Sequence, residues 1–206
     1  MPSIEHSQRN RLLALFGPRN VMRASELKDA GITPAAIARA VEDGEIERVS
    51  RGLYQRCRVD VARHHALAVA SMRVPKGIVT MVSALAFHGL VDEEHPRVWM
   101  ALGPHDWAPG PSCPPLRILR FAEPYLRQGV EHHAIGGVNV PVYGLAKTLA
   151  DVFRHPRLVA RATAVEALRR AVRERKVSLE VLERNARAGS VWTIMRPYLD
   201  SALLRA

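Results

Sequence analysis

The sequence predicts an α+β protein: short helices and a small hairpin in the first sixty residues, then a small antiparallel sheet covered by helices. Three observations carry that expectation. Breaks at Gly17-Pro18, Gly31 and Gly44 cut residues 3–43 into three helices, because proline cannot continue a helix and glycine tolerates the exit geometry. Two short runs, Ile46-Glu47-Arg48-Val49 and Leu53-Tyr54-Gln55-Arg56, flank the turn residues Ser50-Arg51-Gly52. From about residue 61 apolar strand-like runs alternate with turn residues and then give way to helical periodicity. The 206 residues fit one large domain or two small ones, and the change in pattern divides them at 1–60 and 61–206.

In the first part, one helix spans Ser3 to Phe16 and has Ile4, Leu12, Leu15 and Phe16 for an apolar face. A second runs from Val21 to Gly31. The third starts at Pro34, whose missing N–H suits the first helical position, with Thr33 as its cap. It continues to about Asp43 and turns Ile37, Ala40, Val41 and Gly44 to the core, with Ala35, Ala38, Arg39 and Glu42 opposite. A short helix, a Gly-containing turn, a longer helix and a basic hairpin make the order of a winged helix-turn-helix.

A helix of this length fits the major groove, where its N-terminal residues approach base edges. Thr33, Ala35, Ala36 and Arg39 are therefore the candidates for reading DNA, Arg39 by a bidentate bond to guanine. Arg48, Arg51, Arg56 and Arg58 on or beside the hairpin suit phosphates or an adjacent minor groove, and Tyr54 belongs to the same candidate set. The helix ends on Glu42, Asp43 and Glu45, which must point away from phosphates. That acidic end keeps open the alternative of a winged helix that docks protein and reads no operator.

In the second part a helix is expected over Val61 to Met72, and a shorter one capped by Ser83 and ended by Gly89. Strands are expected at Arg97–Leu102, Leu116–Phe121, Val130–Ile135 and Val138–Val142, the last two joined by a Gly136-Gly137 turn. Gly103 to Pro115, with five prolines and two glycines, reads as an irregular loop. Helices follow over Leu145–Phe153, Arg157–Lys176, Leu179–Arg187 and Val191–Leu204, the last kinked at Pro197.

Net charge is +10, from 30 basic and 20 acidic residues, which favours a polyanionic partner. Residues 1–60 hold ten Arg/Lys and eight Asp/Glu, so the surplus lies mainly beyond them. Its densest stretch makes Arg169, Arg170, Arg173 and Lys176 a possible second basic site; cations also end a helix simply because they complement its dipole. No apolar run reaches the length of a membrane span and the N-terminus lacks a signal-peptide pattern, so a bacterial cytoplasmic location without membrane contact is expected. Cys57 and Cys113 have no metal or redox spacing and read as small apolar residues.

No catalytic residue, metal or cofactor is expected. His64-His65 and His132-His133 are adjacent pairs that do not converge on one metal. Asp92-Glu93-Glu94 and Gly189-Ser190 lack the order of a nucleotidyltransferase. Asp151 with Glu174-Arg175-Lys176 resembles a nuclease set only superficially, since both acids fall in helices and not on neighbouring strands around Mg²⁺.

The string Gly44-Glu45-Ile46-Glu47-Arg48-Val49-Ser50-Arg51-Gly52-Leu53-Tyr54 resembles the AbiEi family, the antitoxins of type IV toxin–antitoxin systems. Ser83-Ala84-Leu85-Ala86-Phe87-His88-Gly89-Leu90 and Lys147-Thr148-Leu149-Ala150-Asp151 resemble two further family strings, in order and over roughly residues 10–200. Arg23 departs from the Ser or Thr that usually caps the family's second helix. The resemblance implies a repressor that binds double-stranded operator DNA at repeats upstream of its own operon. It also implies an antitoxin that counteracts a nucleotidyltransferase-type toxin without a stable complex.

Overall fold

A computed structural model describes residues 4–17, 19–57, 64–92, 96–111 and 114–204, with the side chains of 4–7 left aside. Arg58, the start of the helix expected from Val61, Glu93, Glu94 and Cys113 lie outside the described residues, as does the side chain of Ile4. The chain divides into two compact units. One comprises residues 1–75, 109–114 and 133–140; the other comprises 76–108, 115–132 and 141–206.

The first unit contains α1 (Ile4–Leu15), β1 (Val21–Arg23), α2 (Ala24–Asp29), α3 (Pro34–Glu42), β2 (Ile46–Ser50), β3 (Leu53–Arg56) and α4 (His65–Arg73). The strands form an antiparallel sheet in the order β1-β3-β2. Alternation of side chains sends Met22, Ile46 and Tyr54 to one face, where Leu12, Phe16, Leu27, Ile32, Ile37 and Ala40 of the helical side meet them. Val21 and Leu53 point to the other face and pack with Val69 and Met72 of α4. Phe16 and Leu12 are wholly buried, each contributing roughly 1.5–3 kcal/mol by leaving water.

Two expectations for this unit are corrected. Val21–Arg23 is a strand and not the first turn of a helix: Val21, Met22 and Arg23 pair with Gln55, Tyr54 and Leu53. Helix α2 begins only at Ala24, where the Glu26 carboxylate accepts from the Arg23 amide at 2.7 Å. The carboxylate at the third helical position thus supplies one half of a capping box, satisfying the Arg23 amide, and Arg23 has no hydroxyl for the other half. In α3, Ile37 and Ala40 are buried as expected, but Val41 is 36% exposed.

The second unit contributes β4 (Ile78–Val79), α5 (Met81–Phe87), β5 (Val98–Leu102), β6 (Leu116–Arg120), a 3₁₀ turn at Tyr125–Arg127, α6 (Leu145–Arg154), α7 (Arg161–Arg173), α8 (Leu179–Ala188) and α9 (Trp192–Leu203). With β7 (Val130–Ile135) and β8 (Val138–Tyr143) its strands make a five-stranded sheet ordered β6-β5-β4-β8-β7. The α+β class stands, but this sheet is mixed where an antiparallel one was expected. β4 is antiparallel to β5 and parallel to β8, and β5 is parallel to β6. The reason is in the chain: parallel neighbours need a crossover of about a dozen residues, and the Gly103–Pro115 loop is that crossover. Ser83 is not the cap of α5. It lies inside that helix, buried, and its Oγ accepts from the Trp99 amide at 3.0 Å, tying α5 to β5. Helix α7 spans Arg161–Arg173, shorter than the expected Arg157–Lys176.

Candidate nucleic-acid interface

The N-terminus of α3 is fixed from three directions. Thr33 has extended geometry and its side chain accepts from the Ala36 amide at 3.2 Å, with Pro34 following as the first helical residue. Gln8 of α1 reaches the same place. Its Nε2 donates to the Gly31 carbonyl at 3.1 Å and its Oε1 accepts from the Thr33 amide at 3.2 Å. One side chain thereby holds both ends of the turn between α2 and α3. Gly31, at φ +79°, supplies the left-handed residue that ends α2 with bonds from Gly31 N to Lys28 O and from Ile32 N to Leu27 O. A Gln on a polar stretch of helix carries no pattern that marks such a role, and sequence reasoning missed it.

From this fixed start α3 presents Thr33, Ala35, Ala38 and Arg39 outward, all exposed. Ala36 is only half exposed and packs with Tyr54 against the core of the unit. Those two candidates therefore lie at the root of the exposed face and not on it. On the hairpin, Arg48 is exposed and curls back so that its Nε donates to the Ser50 carbonyl at 3.4 Å. Arg51 is exposed in the two-residue turn with Gly52, at the tip. Arg56 sits at the base instead, opposite Ile46, lining a cleft with Arg9, Asp43 and Glu45. The eight candidates thus separate into a helix group, Thr33, Ala35 and Arg39; a wing group, Arg48 and Arg51; and Ala36, Tyr54 and Arg56 behind them.

The acidic end of α3 is partly neutralised. Glu45 is mostly buried and accepts from the Arg9 guanidinium, with Nε at 2.8 Å. That bond and the carboxylate's charge raise the Arg9 pKa, with a smaller contribution from Asp43. Glu47 on β2 accepts from Gln55 across the sheet. Glu42 and Asp43 remain exposed at the C-terminal end of α3, the end remote from Thr33.

The possible second basic site is drawn into local contacts. Arg170 Nε and Lys176 Nζ meet the two carboxylate oxygens of Glu174 at 2.8 and 3.0 Å, which holds the Glu174 carboxyl below its usual range. Lys176 also donates to the His88 carbonyl at 3.0 Å, at the C-terminus of α5. Arg169 lies 3.9 Å from Glu166, and Arg173 is exposed.

The two other family-like strings meet inside the second unit. His88 Nε2 and Thr148 Oγ1 both bond to the Tyr143 carbonyl, at 2.9 and 3.1 Å. Lys147 and Asp151, four residues apart on α6, are 3% and 0% exposed, and the ammonium lies 2.7 Å from each carboxylate oxygen. The Tyr125 hydroxyl donates to the same carboxylate. The Lys147 ammonium lies 3.3 Å from the Tyr125 ring centroid and 4.6 Å from that of Tyr143. Asp151 is thus engaged by Lys147 and Tyr125, and Glu174 by Arg170 and Lys176. Among the described residues no group of three or more His, Cys, Asp or Glu is placed to hold a metal, and no helix is long and apolar enough to cross a membrane.

Among solved structures the chain resembles the RV2827C protein from Mycobacterium tuberculosis, with a TM-score of 0.65 at 17% identity over 95% of this chain and 77% of that chain. At that identity the likeness shows the fold alone. No curated protein matches the chain. Residues 10–56, from within α1 to the end of β3, match the family model described as "Transcriptional regulator, AbiEi antitoxin". Over those residues, which hold α2, α3 and the Arg48–Arg51 hairpin, the chain is similar to the AbiEi antitoxin transcriptional regulators.

Proposed function

We propose that the chain is a DNA-binding repressor and the antitoxin of a type IV toxin–antitoxin system, acting in the cytoplasm. The first sixty residues bind operator repeats upstream of its own operon, and the remainder counteracts a nucleotidyltransferase-type toxin without a stable complex. The observation that carries the reading is the exposed face of α3, where small residues and Arg39 project from a helix start held by Thr33 and Gln8. Small side chains let the backbone approach the groove floor, and an arginine one turn in has the reach for a guanine edge. Pairing of Glu45 with Arg9 supports it further, since this carboxylate no longer faces phosphates as a bare charge.

The test is a mobility shift of the purified chain on DNA from upstream of its own coding region, against a scrambled duplex of equal length. Salt-dependent binding with preference for the upstream DNA is expected. Absence of any salt-dependent duplex binding would mean a protein-docking winged helix.

A further inference from the structure

The crossover between β5 and β6 holds an exposed aromatic ring on a rigid mount. Asp106 accepts from Lys76 Nζ at 2.7 Å and from the Gly103 amide at 3.1 Å. From the other side Arg120 Nη1 donates to the carbonyls of Gly103 and Asp106, at 2.7 and 2.6 Å. Lys76, Gly103, Asp106 and Arg120 thereby fix the loop immediately before Trp107, and Pro104 and Pro109 restrict the backbone on either side. Trp107 is nevertheless 71% exposed, whereas Trp99 on the adjoining strand is 8% exposed. An ordered loop that keeps a bare indole in water is poised for a partner, because the ring needs little further ordering on binding.

The surroundings decide what kind of partner. None of the other exposed large apolar side chains among the described residues belongs to the crossover; they are Val41, Leu179, Ile194, Leu203 and Leu204. A tryptophan that anchors a protein partner normally sits within an apolar patch sealed by a rim. Trp107 stands instead among charges: Lys76, with its side chain 73% exposed, and Arg120, set against the one carboxylate of Asp106. Arg120 spends its hydrogen bonds on carbonyls, so the single Asp106 carboxylate faces two cations, Lys76 and Arg120. A planar ring among surplus cations is the pairing that holds unpaired nucleic acid, bases stacking on the ring and phosphates on the cations. Bases within an intact duplex are already stacked on one another and do not offer that face.

We infer that Trp107, with Lys76 and Arg120, forms a contact site for single-stranded nucleic acid, distinct from the winged-helix candidates and independent of whether that element reads an operator. The test uses the full chain and fluorescently labelled oligo(dT) and oligo(rU) of about twelve nucleotides, a length of the order of one such binding site. Binding is read by anisotropy, with a mixed-sequence duplex alongside. At least one single strand should bind, with affinity falling as salt rises. Trp107→Ala should weaken it roughly tenfold and leave duplex binding unchanged, while Trp107→Phe keeps most of the affinity because a ring remains. The difference between the two oligomers distinguishes DNA from RNA through the 2′-hydroxyl. Undiminished single-strand binding by Trp107→Ala, or no binding by the parent chain, overturns the inference. So does self-association that Trp107→Ala abolishes, which would make the ring a contact between copies.

Discussion

Lys147 and Asp151 form an ion pair that opposes folding in part, yet neither can be removed alone. Burial is the largest influence on both: it lowers the Lys147 pKa from 10.5 to about 8 and raises that of Asp151. Keeping Lys147 charged at pH 7 under that shift opposes folding by about 3 kcal/mol. Asp151→Asn removes the charge that offsets this burial, and Lys147→Met strands a wholly buried carboxylate; each should cost about 3–5 kcal/mol. The double variant Lys147→Met/Asp151→Leu removes both desolvated charges. Apolar replacement of such a pair ranges from neutral to stabilising by about 1–4 kcal/mol, against about 1–3 kcal/mol for the Tyr125 hydroxyl left without its acceptor. It should therefore fall within about 3 kcal/mol of the parent and be more stable than either single variant.

Urea unfolding followed by tryptophan emission measures this as a midpoint shift at constant slope. If a single variant does not fold, the double still gives the decisive comparison. Singles that each lose under about 1 kcal/mol, or a double that loses their sum, would refute the reasoning. The pair also has a pH signature. Between pH 8 and 10.5 the unfolded chain holds the Lys147 proton more firmly than the folded one, so this group makes stability rise with pH across that window. Tyr125 and Tyr143, whose pKa values burial raises, act oppositely above about pH 10, so the rise is clearest between pH 8 and 10 and should be absent from the double variant.

Three further outcomes are expected. Arg39→Ala should cost ~1–3 kcal/mol on the upstream DNA and relax preference at one base position; unchanged affinity in a competition shift would remove Arg39 from the interface. Arg51→Ala should weaken specific and scrambled duplex by similar factors and make the slope of log affinity against log salt about one unit shallower, and an intact slope would take the wing tip off the backbone. Arg175 ends α7 at φ +51° with bonds from Arg175 N to Val172 O and Lys176 N to Ala171 O, a position that suits glycine. Arg175→Gly should accordingly stabilise the chain by roughly 0.5–1 kcal/mol in the same urea assay, and a loss of stability would show that the arginine's contacts outweigh its strain.

How far the fold was legible follows from how each element ends. Gly31, Gly44 and Gly89 each close a helix in the left-handed conformation, and all three ends were placed from sequence. Arg175 and Ser190 adopt the same conformation without being glycine, which is why α7 was expected to run on to Lys176. Val21–Arg23 reads as helix by itself and becomes strand only through pairing with Leu53–Gln55, thirty residues away in a register no local pattern announces. β4 has two residues, too few for any periodicity. At the candidate interface the residue types and the order of elements were readable, and so was the Thr33 cap. The inward turn of Ala36 and Tyr54, the retreat of Arg56 to the hairpin base and the Gln8 bridge all depend on tertiary packing.

The same distinction changes what the charge of the chain means. Much of the excess of Arg and Lys beyond residue 60 is committed to internal work: Lys147 is buried against Asp151, Lys176 caps α5, and Arg170 and Arg187 pair with acids four residues away. Total charge thus overstates the cationic surface that a polyanion meets. The exposed cations include Arg39, Arg48 and Arg51 on one unit and Lys76 and Arg120 beside the Trp107 loop on the other. The two settings differ in kind. A small-residue helix face with an arginine suits the edges of paired bases, whereas a bare indole suits the faces of unpaired ones. Duplex and single-strand affinities should therefore respond to different substitutions, Arg39→Ala and Trp107→Ala, with little crossover. Loss of both affinities in either variant would mean that one surface serves both.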